Sequence, residues 1–463
     1  MKIFFSVGEP SGDLHGANLI KELRQASPGI ECVGYGGPKM AAAGAQLHAD
    51  LTQLAVMWIL RVLMNLHHFW RLLRRAGDYF RDQRPDAVVL IDYPGFNWWI
   101  ARAAKKYGIP VFYYGVPQMW AWAPWRVRKM RRLVDHVLCK LPFEADWYRA
   151  RNCHATYLGH PYFDELERQQ LDQAFCDAQS CRPGRLVTIL PGSRTQEVAK
   201  NLQGFVAAAG RIHGSVPDAR FAIASFNEKQ AAMAREQIAG LDIPIEVFVG
   251  RTPELIRLSY GCLACSGSVS LELLYHAKPT VILYRVGWFP YTLARRFFIK
   301  VKFITLVNLL AADDPFLRGG ARYDPRAAAD DGVLFPEHLT YEDRAPQIAR
   351  QIIRWLTDEA SYQSRVRELE ELKRQHAVSG ASHRAAAYIL QHLRSDAPPL
   401  AGPHFELGKL NEVGKSRIKR ESRLDERYIK LVQCAGLGES SKWPASGRFG
   451  SQVKLRHLLV QPI

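Results

Sequence analysis

Five consecutive apolar residues, Ala87-Val88-Val89-Leu90-Ile91, run without a polar interruption and stop at the carboxylate of Asp92. A strand with one wet face alternates apolar and polar side chains. A short unalternating run suits a strand covered on both faces, and such strands belong to parallel sheets sandwiched between helices. Tyr93-Pro94-Gly95 break the run, and Asn97 starts the next helical pattern, over Trp98–Tyr107. Strands of the same kind are expected at Ile3–Val7, Glu31–Val33, Pro110–Tyr114, Val134–Cys139, Leu186–Leu190, Phe221–Ala224, Ile245–Phe248, Leu263–Cys265 and Thr280–Tyr284. The two halves rhyme, each alternating apolar strands with helices and placing Gly/Ser turns at strand ends. That pattern predicts an α/β protein of two doubly wound, Rossmann-like domains facing each other across a cleft.

The expected division is residues 1–165, a connection within 162–185, a second domain over 184–338, helices over 339–395, and a tail over 396–463. Residues 401–463 hold twelve Lys/Arg against six Asp/Glu with few periodic apolars, which reads as a basic, largely disordered tail.

In open α/β sheets the ligand lies outside the carboxyl ends of the strands. Asp92 is therefore either a catalytic carboxylate or a turn-satisfying one. After the first strand comes Gly8-Glu9-Pro10-Ser11-Gly12-Asp13, a Gly-rich turn that lacks the dinucleotide spacing but presents backbone N–H groups at a helix start, expected from about Ala17. Pro191-Gly192-Ser193-Arg194, with Glu197 beyond it, makes a phosphate seat in the second half. Ser266-Gly267-Ser268 open a helix carrying Glu272, a carboxylate able to hold a ribose diol or simply to sit in a favourable first turn.

The net charge of +17 calls for an anionic partner: phosphate, nucleotide, anionic lipid or nucleic acid. Leu54–Leu73 carries more apolar residues than one helix stripe uses, among them Val56, Met57, Trp58, Ile59, Val62, Leu63 and Leu66. It reads as an interfacial helix or acyl-chain groove, or else as a core helix. Trp120, Trp122 and Trp125, in what reads as a loop, suit stacking on sugar or anchoring at lipid. The Arg126–Arg132 cluster after them suits phosphate or anionic head groups, or a solvated face. The eight cysteines form no disulfide or zinc framework, and Asp313-Asp314 does not read as a metal site. The short apolar N-terminus reads as a strand and not a secretion signal, and no stretch is long enough to span a bilayer.

Taken in order, Gly8-Glu9-x-Ser11-Gly12-Asp13, Leu54-Ala55-Val56-Met57, Ile91-Asp92-x-Pro94-x-Phe96-Asn97, Trp120-Ala121-Trp122, Leu190-Pro191-Gly192-Ser193-Arg194, Ser266-Gly267-Ser268 with Glu272, and Asn308-Leu309-Leu310 resemble the lipid-A-disaccharide synthases over roughly residues 1–392. The resemblance implies an inverting glycosyltransferase of the two-domain GT-B fold that joins UDP-2,3-diacylglucosamine to 2,3-diacylglucosamine 1-phosphate and releases UDP. It implies Asp92 as general base, and Arg194, Glu272 and Asn308 as residues important for activity. Glu9, Ser11, Gly12, Asp13, Gly192, Ser193, Ser266, Gly267 and Ser268 fall in its substrate-binding turns. The Met57–Leu66 segment would take acyl chains and the membrane.

The resemblance also implies no metal cofactor, work at the cytoplasmic face of an inner membrane, and dimers that exchange C-terminal segments. This chain departs from the family pattern at Gly95, where an acidic residue is usual, at Trp58, and at Val116-Pro117-Gln118-Met119. The tail after about 395 has no counterpart in it. The rival expectations are another UDP-sugar enzyme on the same fold, such as an epimerase or a lipid-linked glycosyltransferase, and a basic membrane- or nucleic-acid-binding protein.

Overall fold

A computed structural model describes residues 1–52, 66–294, 296, 299–317, 323–324 and 333–394. Val56, Met57, Trp58, Ile59, Val62 and Leu63 lie outside the described residues, as does the tail. Leu66 opens the helix Leu66–Gln83.

The first sheet is parallel in the order β3-β2-β1-β4-β5-β6-β7. Its strands are β1 (Lys2–Val7), β2 (Glu31–Gly36), β3 (Gln46–Asp50), β4 (Ala87–Ile91), β5 (Val111–Tyr114), β6 (His136–Cys139) and β7 (Ala155–Tyr157). The second sheet is parallel in the order β10-β9-β8-β11-β12-β13. It is built from β8 (Leu186–Leu190), β9 (Arg220–Ser225), β10 (Ile245–Val249), β11 (Gly261–Ala264), β12 (Thr280–Arg285) and β13 (Glu337–Thr340). In each, chain order reverses beside the first strand, between β1 and β4 and between β8 and β11. Doubly wound folds take their ligands at such switch points.

The unalternating run has the cause its pattern suggested. Val88 and Leu90 enter one apolar cluster with Phe4, while Ala87, Val89 and Ile91 enter another with Ile3, Phe5 and Val7. That second cluster is closed by Ala385, Ala386, Ile389 and Leu390 of the last described helix, Ala381–Arg394, which returns from the second domain to the first. Covering Ile389 and Leu390 stabilises this return by roughly 1.5–3 kcal/mol each. Asp164 fixes the helix start by accepting from the N–H groups of Gly380, Ala381 and Ser382. A second return comes from the stretch before and into the helix Leu306–Ala311. Ile299, Val301 and Leu309 join the first domain's core, and Phe316 packs against Trp120 and Phe143.

Several elements differ from the expected bounds. The helix after β1 begins at Pro10, and that after β4 at Pro94, since proline suits a first helical turn. Strands β3, β7 and β13 and the helices Tyr162–Arg168 and Gln173–Ser180 are additions to the expected set.

His136 joins the last helix to the first domain. Its ring stacks on Phe112 at 4.4 Å and lies 4.6 Å from the His392 ring and 4.9 Å from that of His154, with Nδ1 3.1 Å from Tyr388 Oη. Burial, then the two neighbouring imidazoles, push its pKa down to about 4; Asp135 opposes and Lys105 reinforces this. The unfolded state therefore binds the proton first. Its stabilising contribution is complete above the unfolded value near 6.5 and is lost as pH falls from there towards 4. Urea midpoints between pH 7 and 4 should fall, and less steeply in His136→Phe; identical slopes would show that this histidine is not linked to docking.

Candidate active site

The β1–β4 register pairs Val7 with Ile91, so the turns Gly8-Glu9 and Asp92-Tyr93 leave the sheet side by side. Asp92 and Tyr93 both adopt left-handed backbone, at φ 45° and 44°. Such residues cost about 1–3 kcal/mol each and persist where their surroundings overdetermine them. Here Asn97, fully buried, donates Nδ2 to the carbonyls of Ser6 (3.2 Å), Ile91 (3.2 Å) and Asp92 (2.8 Å), while its Oδ1 accepts from Ser6 Oγ at 2.7 Å. The Tyr113 hydroxyl donates to the Asp92 carbonyl at 2.6 Å. Gly8 makes the turn possible, since a Cβ there would lie 2.4 Å from the Tyr93 ring.

The Asp92 side chain, 18% exposed, places Oδ1 3.4 Å from Nζ of Lys140, which follows β6 and is 14% exposed. Glu9 sits in the same field. Burial and then the Asp92 charge raise its carboxyl above the usual range, while Lys140 and Arg194 pull it back. Arg194 belongs to the second sheet, so its action on Glu9 spans the two domains. Beneath Lys140, Glu144 accepts from the Lys140 N–H at 3.0 Å and from Trp120 Nε1 at 2.9 Å, and burial pushes its pKa up to about 7. His15 and His160 lie close by with rings 6.4 Å apart. Burial and the Lys140 charge hold both neutral, His15 down to about 3.

On the second sheet, the β8 turn presents Arg194 at the start of the helix Thr195–Ser215. Gly192, at φ 127°, has no room for a Cβ, which would stand 2.6 Å from Glu197 Cβ. Glu197 accepts from Arg194 Nη1 at 2.8 Å and from the Arg194 N–H at 3.2 Å, yet the Arg194 side chain stays 61% exposed. The Ser193 carbonyl is held by Gln230 Nε2 at 2.8 Å. Asn201 ties the ends of β8, β11 and β12 together through the Pro191 carbonyl, Cys265 Sγ and the Arg285 N–H. After β11, Gly267 and Ser268 are exposed, and Ser266 Oγ donates to the Ile304 carbonyl at 3.3 Å. Glu272 is buried. Its Oε2 accepts from the Tyr162 hydroxyl at 2.8 Å, and the Gln169 side chain also hydrogen-bonds the carboxylate. Burial raises its carboxyl, with the Tyr162 bond opposing.

One expectation is corrected, that for Trp120, and two predicted site residues are found with their polar groups engaged inside the fold. Asp13 is committed to the backbone: its carboxylate accepts from the N–H groups of Gly37, Lys39 and Met40 at 2.9–3.1 Å and so fixes the turn after β2. Asn308 is likewise saturated by Phe335, whose N–H it accepts and whose carbonyl it bonds, and by Thr305 and Glu337. Trp120 is a core residue, 1% exposed, and not a sugar platform; Met119-Trp120-Ala121-Trp122 is a helical turn. Ser11 is exposed at the start of its helix, and Gly12 brings that helix against Val7 and Asp92. Lys140, Tyr113, Glu144 and Asn201 carry no motif. Lys140 does share the signal that exposed Asp92, a charge ending an apolar strand.

The lipid-A-disaccharide synthetase family matches residues 3–316. The chain belongs to that family. Lipid-A-disaccharide synthases of Anaeromyxobacter dehalogenans and Myxococcus xanthus are each 32% identical to it over 395 residues, covering 85% of this chain and 98% and 97% of theirs. Among solved structures, the UDP-GlcNAc 2-epimerase of Neisseria meningitidis superposes with TM-score 0.53 at 13% identity, covering 85% of this chain and 99% of its own. The calicheamicin glycosyltransferase CalG4 gives 0.50 at 14%, covering 86% and 99%. These likenesses establish the GT-B arrangement of two Rossmann-like domains. The family match selects, from the many enzymes on that fold, the glycosyltransferases that form the lipid A disaccharide.

Proposed function

We propose that this chain transfers diacylglucosamine from UDP-2,3-diacylglucosamine to the 6-hydroxyl of 2,3-diacylglucosamine 1-phosphate, inverting the anomeric centre and releasing UDP. The observation that carries the reading is the pairing of two switch points: a strained turn presenting Asp92 after β4 of one sheet, and an exposed guanidinium, Arg194, on the turn after β8 of the other. Asp92 accepts the hydroxyl proton as the new bond forms. Arg194 and the backbone N–H groups at the helix start beside it meet the negative charge developing on the departing diphosphate, and no metal is needed for that. Glu272, on the helix after β11, is assigned to the nucleotide.

The same reading places the enzyme on an anionic lipid surface. Trp70 and Trp99 are 63% and 51% exposed on helices that meet through Phe69 and Phe96, and Arg102 stacks over Trp99 at 5.4 Å. Amphipathic aromatics beside arginines suit a head-group layer. No helix among the described residues is long and apolar enough to cross a membrane.

The test is incubation with the two acylated substrates, with and without EDTA, and mass detection of a tetra-acyl disaccharide phosphate. Epimerised UDP-GlcNAc without that product would overturn the reading. Arg194→Ala should weaken UDP binding by roughly 10–100-fold, the worth of a charge-assisted contact of about 1.5–3 kcal/mol. Calorimetric titration checks this; an unchanged Kd would take Arg194 out of the phosphate seat.

A further inference from the structure

We propose that Lys140 is a positioning residue for the base: its ammonium clamps Asp92 Oδ1 and so holds the carboxylate in place on its left-handed turn. This rests on the assignment of Asp92 as base and adds a second residue to it.

The geometry is specific. Lys140 leaves β6 two strands from β4, and its side chain reaches Asp92 Oδ1 at 3.4 Å within a mostly buried site. Gly115, at φ 68° after β5, clears the way. A Cβ on Gly115 would stand 3.6 Å from Lys140 Nζ and 3.7 Å from Asp92 Oδ1, so any longer side chain would press on the pair. The other oxygen, Oδ2, faces Gly12 in the first turn of the helix Pro10–Ala26, where a Cβ would lie 3.7 Å away. One oxygen is thus spoken for, and the other is turned toward the helix start beside the switch point. Lys140 is itself anchored through its backbone N–H on Glu144.

The charges around the ammonium explain why a lysine is stable there. Burial works against it, but Asp92, Glu144 and Glu9 more than offset that, and its pKa stands above the ordinary lysine value. His15 and His160 face it as neutral rings. Tyr113 and Tyr114 lie in the Asp92 field with their hydroxyls held protonated by burial. Arg194 acts on Glu9 from the opposite sheet. Lys140 thus faces the Asp92 carboxylate with a full positive charge, and Glu9 lies in the field of both. Removing the ammonium takes away the counter-charge that favours the ionised base, so the acidic limb of the variant should move up.

The experiment compares the parent, Lys140→Met, Lys140→Gln, Asp92→Asn and the Asp92→Asn/Lys140→Met double variant, measuring kcat/KM for the acylated substrates from pH 5 to 9. Lys140→Met should lower kcat/KM by about 10–100-fold at pH 7 and move the acidic limb up by about 1 pH unit. Lys140→Gln, which can still donate to Asp92 but carries no charge, should show the same limb. UDP affinity should stay within about threefold, as expected for a group acting through Asp92 rather than on the nucleotide. In the Asp92→Asn background Lys140→Met should cost nothing further, because the residue acts through Asp92; with both charges of the ion pair removed, the double variant also remains foldable if Lys140→Met alone does not. An unchanged acidic limb overturns the proposal, and so does a loss that persists in the Asp92→Asn background, which would mean contact with substrate. Failure of the parent to form product would instead overturn the assigned reaction.

Discussion

Asp92→Asn slows disaccharide formation by about 10²–10⁴-fold while leaving the affinity for UDP within about threefold. The magnitude is what a positioned general base supplies when a hydroxyl attacks. The separation of the two readouts follows from the architecture, since the proposed diphosphate seat is the turn after β8 and the proposed base stands on the turn after β4, in a different sheet. Asparagine is the informative replacement because it is isosteric and, like aspartate, tolerates left-handed backbone, so the φ of 45° is kept. Asp92→Ala should lose at least as much activity, with an added cost from alanine in that conformation. Initial rates and a UDP titration on the same preparation decide the matter. Turnover by Asp92→Asn at the parent's level would remove the carboxylate from the chemistry, and a parallel loss of UDP binding would mean that the substitution had disturbed the cleft as a whole.

Much of this site is legible in the amino-acid order alone because buried parallel strands declare themselves. Ala87–Ile91 and Leu186–Leu190 occur at the expected bounds, and the turns after them carry Asp92 and Arg194. The strands without a clear signal are edge or near-edge pieces: β3 and β7 are half-exposed, polar and short, and β13 begins with Glu337 and His338, whose burial depends on distant partners. Roles are harder to read than positions. Asp13 and Asn308 sit in turns that look like ligand sites, but a carboxylate or amide can equally saturate backbone groups of its own chain. Which of the two happens depends on contacts 24–29 residues away. Trp120 reads as an exposed aromatic in a short loop, whereas Glu144 and Phe143 enclose it. Lys140 ends an apolar strand as Asp92 does, but its pairing with Asp92 becomes visible only once β6 is known to lie two places from β4.

The interior polar links predict where the chain is least tolerant. Asn97→Ala should lower the urea midpoint strongly, equivalent to about 3–5 kcal/mol, because four hydrogen-bonding partners, namely three carbonyls and the Ser6 hydroxyl, lose their contact in a place closed to water. The loss has a functional signature that a plain core truncation lacks. Without the amide, the Asp92 carbonyl keeps its bond from Tyr113 but loses the one from Asn97, so activity per folded molecule should fall under conditions where the variant is still native. Tyr113→Phe, which removes one bond to the same carbonyl, should shift the midpoint by about 1 kcal/mol equivalent and lower turnover in the same sense. Asn201→Ala provides the contrast. It loosens the corresponding strand ends of the second sheet, so it should weaken UDP binding at a similar stability loss while leaving the Asp92 turn intact. If Asn97→Ala and Asn201→Ala lost stability equally but neither separated turnover from nucleotide affinity, the buried asparagines would be general mortar, and the strained turn at Asp92 would have to be held by the sheet itself.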